Sequence, residues 1–139
     1  PGLLSGCHVY LHGQFNQNCP SKKELEVLVK AGGGKLLVRE PNAESIPPQE
    51  RTVFFHVLFD SPLVNCSYYI IYQEGSHSEP KLKYDMEHIK SLPLTWLIDC
   101  IDHFQLLRPF LPTAVKRGSW ALQLYARKNF LKIVSLFFV

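Results

Sequence analysis

Two short runs constrain this chain more than anything else in it: the glycine run Ala31-Gly32-Gly33-Gly34-Lys35 and, well downstream, Trp96-Leu97-Ile98-Asp99-Cys100. In a helix, residues four apart share a face, so Trp96 and Cys100 point together as a large anchor beside a small apolar neighbour. The glycines read as a helix stop, because Gly adopts the positive φ that reverses the chain into a following strand. Packing is the first reading of the Trp96–Cys100 pair.

The 46% apolar content supports a real core, and 139 residues suit one domain with an appendage. Cys7, Cys19, Cys66 and Cys100 show no C-x-x-C spacing, which predicts reduced, buried thiols rather than disulfides or zinc. No metal and no cofactor is expected. Asn65-Cys66-Ser67 matches a glycosylation acceptor too short to carry weight. The chain opens on Pro1 without a signal peptide, as expected of a fragment or processed product.

Cys7 to Leu11 reads as a first, covered strand, and Ser21 with Glu24 as a capping box opening a helix over Lys22 to Ala31. Leu25, Val27, Leu28 and Val29 suggest burial on two sides of that helix. Lys35 to Val38 follows as a second strand, joined to the first by a right-handed crossover. Residues 39–51, with Pro41, Pro47 and Pro48, form a solvated loop. Thr52 to Phe59 reads as a strand or hairpin excursion, and Ser67 to Tyr72 as a buried strand. Lys81 to His88 is expected as a short, weak helix, Ile89 to Leu92 as a last strand, and Pro93 opens the Trp96 helix. The order β-α-β-β-(α)-β-α predicts a roughly four-stranded parallel sheet flanked by helices.

Leu4-x-Gly6, Gly13-x-Phe15, the triple glycine and Trp96-x-x-x-Cys100 occur in the order and spacing of a BRCT domain, which residues 3–108 resemble. Within that family, Gly6 to Leu11 with Gly13-x-Phe15, Leu28 to Gly34, Tyr69 to Tyr72 and Trp96 to Cys100 look like the second, C-terminal repeat of a tandem pair from a RING-domain protein. The resemblance implies a non-enzymatic, nuclear recognition module of the DNA-damage response and DNA repair. It implies an upstream BRCT repeat as neighbour, and a phosphorylated protein or ubiquitin-marked nucleosome as ligand. A RING-domain heterodimer partner would be contacted through a missing region. Leu25, Leu28, Leu97 and Ile101 would form the inter-repeat surface, and Gly32, Gly33, Gly34, Trp96 and Cys100 the structural framework.

In repeats of the family that bind phosphoserine, a Ser or Thr precedes the glycine after strand one, and a lysine opens helix two. Here His12 precedes Gly13, so the hydroxyl is missing, while Lys81 and Lys83 fall near the lysine position. Those four residues make at best a degenerate pocket. Ser5-Gly6 offers the pair only ahead of the strand. The alternatives are a repeat binding DNA ends or poly(ADP-ribose), and a structural repeat that stabilises its neighbour.

Charge makes nucleic acid the secondary partner. Residues 1–108 carry ten Lys and Arg against twelve Asp and Glu, a net −2 that lacks a broad basic footprint, while 109–139 carry five bases and no acid. Gly32 to Lys35 lacks the phosphate-loop spacing G-x-x-x-x-G-K-[ST]. His8 and His12 on a strand stand roughly 13 Å apart, too far to share a metal. No histidine stands in a nucleophile motif, so catalysis has no sequence support. Phe54, Phe55, Tyr68, Tyr69 and Tyr72 read as core, having no interleaved bases. The apolar end of the basic 109–139 tail falls short of the ~20 residues of a membrane span; the tail reads either as a basic amphipathic surface helix or, the favoured reading, as lying outside the domain, disordered or aggregation-prone.

Overall fold

A computed structural model describes residues 2–15, 20–45, 56–57 and 60–109. Parallel strands need crossovers, and the chain supplies them through helices and long connections. Strands β1 (His8–His12), β2 (Lys35–Leu36), β3 (Tyr68–Tyr72) and β4 (Ile89–Pro93) form one sheet in the order β2-β1-β3-β4, every pair parallel. Helix α1 (Lys22–Ala31) links β1 to β2, and α2 (Leu94–His103) follows β4 directly. The α/β expectation holds, and the architecture agrees with a BRCT fold.

Helix α1 starts and stops as its sequence dictates. Ser21 Oγ accepts the Glu24 N–H at 3.2 Å, and Glu24 Oε1 accepts the Ser21 N–H at 3.1 Å. At the other end Gly33 (φ +85°) donates to Lys30 O and Gly34 to Val29 O, the paired bonds of a Schellman turn. A Cβ at Gly33 would also stand 2.9 Å from Ser5 Oγ, so the position needs glycine on two counts.

The period-two alternation of the strands divides the interior. Val9, Leu11, Tyr69, Ile71 and Leu92 pack with Leu25, Leu28 and Val29 of α1 and with Leu94, Trp96, Leu97, Ile98 and Cys100 of α2. A smaller cluster of Tyr68, Ile70, Ile89 and Ala43, joined by Tyr10, Leu37 and Tyr84, forms separately. There the 3-10 turn at Ala43–Ser45 is tied in by its Ala43 carbonyl, 2.9 Å from His88 Nε2. Tyr68, Tyr69 and Tyr72 are buried, as expected of core aromatics; Phe54 and Phe55 lie outside the described residues.

Several expectations shift. The first strand runs one residue later, β2 is two residues long, and β4 extends to Pro93. Lys81 to His88 forms no helix. Instead the Tyr84–Met86 backbone turns back antiparallel on β4: Ser91 N–H donates to Tyr84 O at 2.8 Å, Met86 N–H to Ile89 O at 2.9 Å, and Asp85 bridges Lys90. The buried Lys90 ammonium, 2.6 Å from Asp85 Oδ1, pins that return, an arrangement that helical pairing at i, i+3 or i+4 would not provide. Of the expected Thr52 to Phe59 strand, Val57 makes one parallel bridge to Leu106, and residues 52–55 and 58–59 lie outside the described set, as do Cys19 and residues 110–139.

Trp96 stacks on Tyr69, ring centroids 5.2 Å apart, and donates Nε1–H to Leu107 O at 2.8 Å. Cys100 Sγ accepts the Leu107 N–H at 3.2 Å. Replacing Trp96 with Ala should cost roughly 3–5 kcal/mol, a large part of a typical domain's ~5–15 kcal/mol. Urea unfolding of the variant measures it, and an unchanged midpoint would remove Trp96 from the core.

Cys7, Cys66 and Cys100 are buried free thiols around the buried Tyr69 hydroxyl. Burial pushes all three thiols up from 9.0, Cys66 to about 12. A raised folded-state value stabilises fully below the unfolded value and is lost as pH rises through the folded one. Stability should therefore fall as pH climbs from about 9 towards 12, and Cys66→Ala should flatten that decline in urea titrations. An unchanged slope in the variant would contradict it.

Candidate functional site

The end of β1 is where the BRCT resemblance would put a degenerate phosphate pocket, and there the backbone turns sharply. Gly13 takes φ +73°, and a Cβ on it would lie 2.7 Å from Ser78 Oγ and 2.8 Å from Ser78 O, so only glycine lets the loop after β3 approach. That loop brings a hydroxyl the sequence reading missed. Ser78 Oγ accepts the Gln14 N–H at 3.0 Å and stands 3.2 Å from Ser76 Oγ, which itself donates to Gln73 O at 2.9 Å. With the Ser76 proton committed, the Ser78 hydroxyl donates to Ser76 Oγ, and one relay runs from the Gln14 amide to the Gln73 carbonyl. The only sequence signal is the polar stretch Ser76-His77-Ser78, which by itself reads as an ordinary turn.

The cationic side is also engaged. Lys83 Nζ donates to Glu79 and lies 4.9 Å from the Tyr72 ring centroid. Glu79 is held below the usual carboxylate range first by that bond and then by the Gly75 N–H at 3.0 Å, and the same bond raises Lys83. Burial raises the Tyr72 phenol, which Lys83 partly offsets. Lys81 is exposed. His12 stands edge-on to Tyr10, its Nδ1 3.5 Å from Glu40 Oε1, beyond ordinary hydrogen-bond reach. Gly13 and Ser78 are thus brought together, Lys83 is turned to Glu79 and Tyr72, and His12 to Tyr10 and Glu40.

The expected inter-repeat surface is corrected. Leu25 and Leu28 are 0% exposed and Leu97 1%, all within this unit's own core, because positions 25, 28 and 29 make one helical face against the sheet. Ile101 is half-buried against the same core, and Val27, 47% exposed, is the apolar side chain that α1 presents outward.

Among the described residues, Asp99, Asp102 and His103 bring three ligand-type atoms within 4.8 Å of one another at the end of α2. His103 Nδ1 lies 2.9 Å from Asp99 O, a helix-terminus hydrogen bond in the tautomer protonated there. No helix among the described residues is long and apolar enough to cross a membrane.

With the parallel sheet, the Trp96–Cys100 pair and the β1 terminus in view, kinship can be judged. The chain is 37% identical over 108 residues, 77% of its length, to BRCA1-associated RING domain protein 1 of Homo sapiens. The chain is a relative of one region of that protein. It is 34% identical over the same share of its length to the Mus musculus counterpart. It spans 14% of the length of these curated relatives. No family model matches it.

Burying a charge without a partner is costly, so Leu28→Asp should unfold the unit while Val27→Asp leaves it folded with a near-native melting temperature. Circular dichroism melts check the pair, and a folded Leu28→Asp protein would return α1 to the role of an exposed docking face.

Proposed function

We propose that residues 3–108 are a non-enzymatic BRCT recognition module of a nuclear DNA-damage and ubiquitin-ligase complex, working jointly with an upstream repeat. The observation that carries this is the relationship to BRCA1-associated RING domain protein 1 over 77% of the chain. The ligand is a phosphoprotein or a ubiquitin-marked nucleosome, and association with a BRCA1-type RING partner runs through a region outside this chain. Residues 109–139 are an appendage to that module.

The β1 terminus supports joint rather than solitary recognition. Ser78 is seated against Gly13, and Lys83 is already bonded to Glu79, so a phosphate arriving there meets a self-satisfied network. The Lys83–Glu79 pair is solvent-exposed and weak enough to be displaced. The Ser78 contact is the firmer obstacle, since it is made by backbone as well as side chain. That same closure favours, as second reading, a repeat that only stabilises its neighbour.

The chain should bind simple phosphoserine peptides negligibly by itself and should recover ubiquitin-marked nucleosomes only when joined to an upstream repeat. Pull-downs comparing phosphopeptides, modified and unmodified nucleosomes and free DNA measure this. Micromolar phosphopeptide binding by the chain alone, lost on Lys83→Ala or His12→Ala, would overturn joint recognition. Equal recovery of free DNA would favour the nucleic-acid reading, and no recovery in any arm the structural one.

A further inference from the structure

The two edges of the sheet are finished differently. The outer edge of β4 is closed by the Tyr84–Met86 return, whose backbone bonds Ser91 and Ile89. At the other edge, Lys35 and Leu37 donate inward to Cys7 O and Val9 O. Leu36 and Val38 alternate with them and point their backbone groups outward, where no described residue pairs with them. Val38 is 96% exposed. Beside this edge, at the carboxyl ends of β1 and β2, lies a groove of about 440 Å³ floored by Tyr10, Leu11, Leu36 and Leu37 and walled by Lys22, Glu26 and Lys30 of α1.

We propose that this edge and groove bind an extended acidic segment of a partner protein by strand addition. Leu36 and Val38 would supply main-chain hydrogen bonds, and the groove would take alternate apolar side chains. The sign of the partner follows from the charges. Lys22 and Lys30 flank the single Glu26, and exposed Lys35 and Arg39 sit on and just after β2, against Glu40. The surplus is positive. A second copy of this chain is the poorer occupant, because edge-to-edge pairing would bring Lys35 and Arg39 of the two copies together. The site adjoins the β1 terminus through Tyr10, which His12 meets edge-on, but it uses none of the Gln14–Ser78–Ser76–Gln73 relay and does not rest on the function proposed above.

The test uses the whole chain with a blocked heptapeptide of alternating Val and Glu, and its counterpart with Lys in place of Glu. The acidic peptide should shift the amide NMR signals of Leu36 and Val38. Its affinity should fall about tenfold in a Lys22→Glu, Lys30→Glu double variant. Val38→Pro, which deletes an outward N–H, should weaken binding independently of charge, with melting curves confirming that both variants fold. Equal binding of the two peptides, shifts confined to other strands, or a dimer abolished by Val38→Pro would overturn the proposal.

Discussion

The fold depends on the way α2 grips a single residue. Trp96 and Cys100, one helical turn apart, hold opposite sides of Leu107: the indole N–H reaches its carbonyl and the thiol receives its amide. The i, i+4 spacing is therefore more than a matching of sizes. It sets a donor and an acceptor one turn apart, matched to the two polar groups of one backbone residue. Phe104 makes the geometry possible by taking the left-handed conformation (φ +49°) that turns the chain back, a strained position for a non-glycine residue. Leu106, held in the same return, forms a parallel bridge with Val57 and donates its N–H to the His56 carbonyl at 2.8 Å. Helix, sheet and a distant connection are joined in one place.

At the opposite end, the glycine turn has a comparable role for the first strand. Gly32 O receives the Leu4 N–H at 2.8 Å, so the turn that stops α1 also fastens the segment leading into β1. A backbone that reverses this tightly leaves its carbonyls available, and the neighbouring segment uses one. The positions of β1 and β2, and with them the groove and the Gly13 turn, follow from it.

Local signals were legible and non-local ones were not. Ser21 and Glu24 announced a helix that begins and ends at the expected residues, since a capping box is satisfied within four residues. Ser67 to Tyr72 announced a buried strand, found over Tyr68–Tyr72 with every position buried. The 84–86 return was opaque because it depends on pairing with β4 and on a lysine buried against Asp85, neither visible in the run 81–88 itself. Leu25, Leu28 and Leu97 belong to this unit's own core, which their apolar character alone does not reveal because the face that the sheet covers is set by distant strands. Ser78 escaped notice because its partners, Gly13 and Gln14, are more than sixty positions away, and its contact exists only once β1 and β3 are neighbours.

The one-sided finish of the sheet bears on how this protein can associate. A β-sheet with two bare edges can add strands without limit, which is the geometry of filaments. Here the chain folds its own Tyr84–Met86 segment over one margin. Growth by pairing copies of this chain through the described sheet is then self-terminating: two β2 edges that pair leave neither copy a second bare edge. Such a sheet can be extended into a discrete complex, and its topology denies it the repeating contact that polymerisation requires.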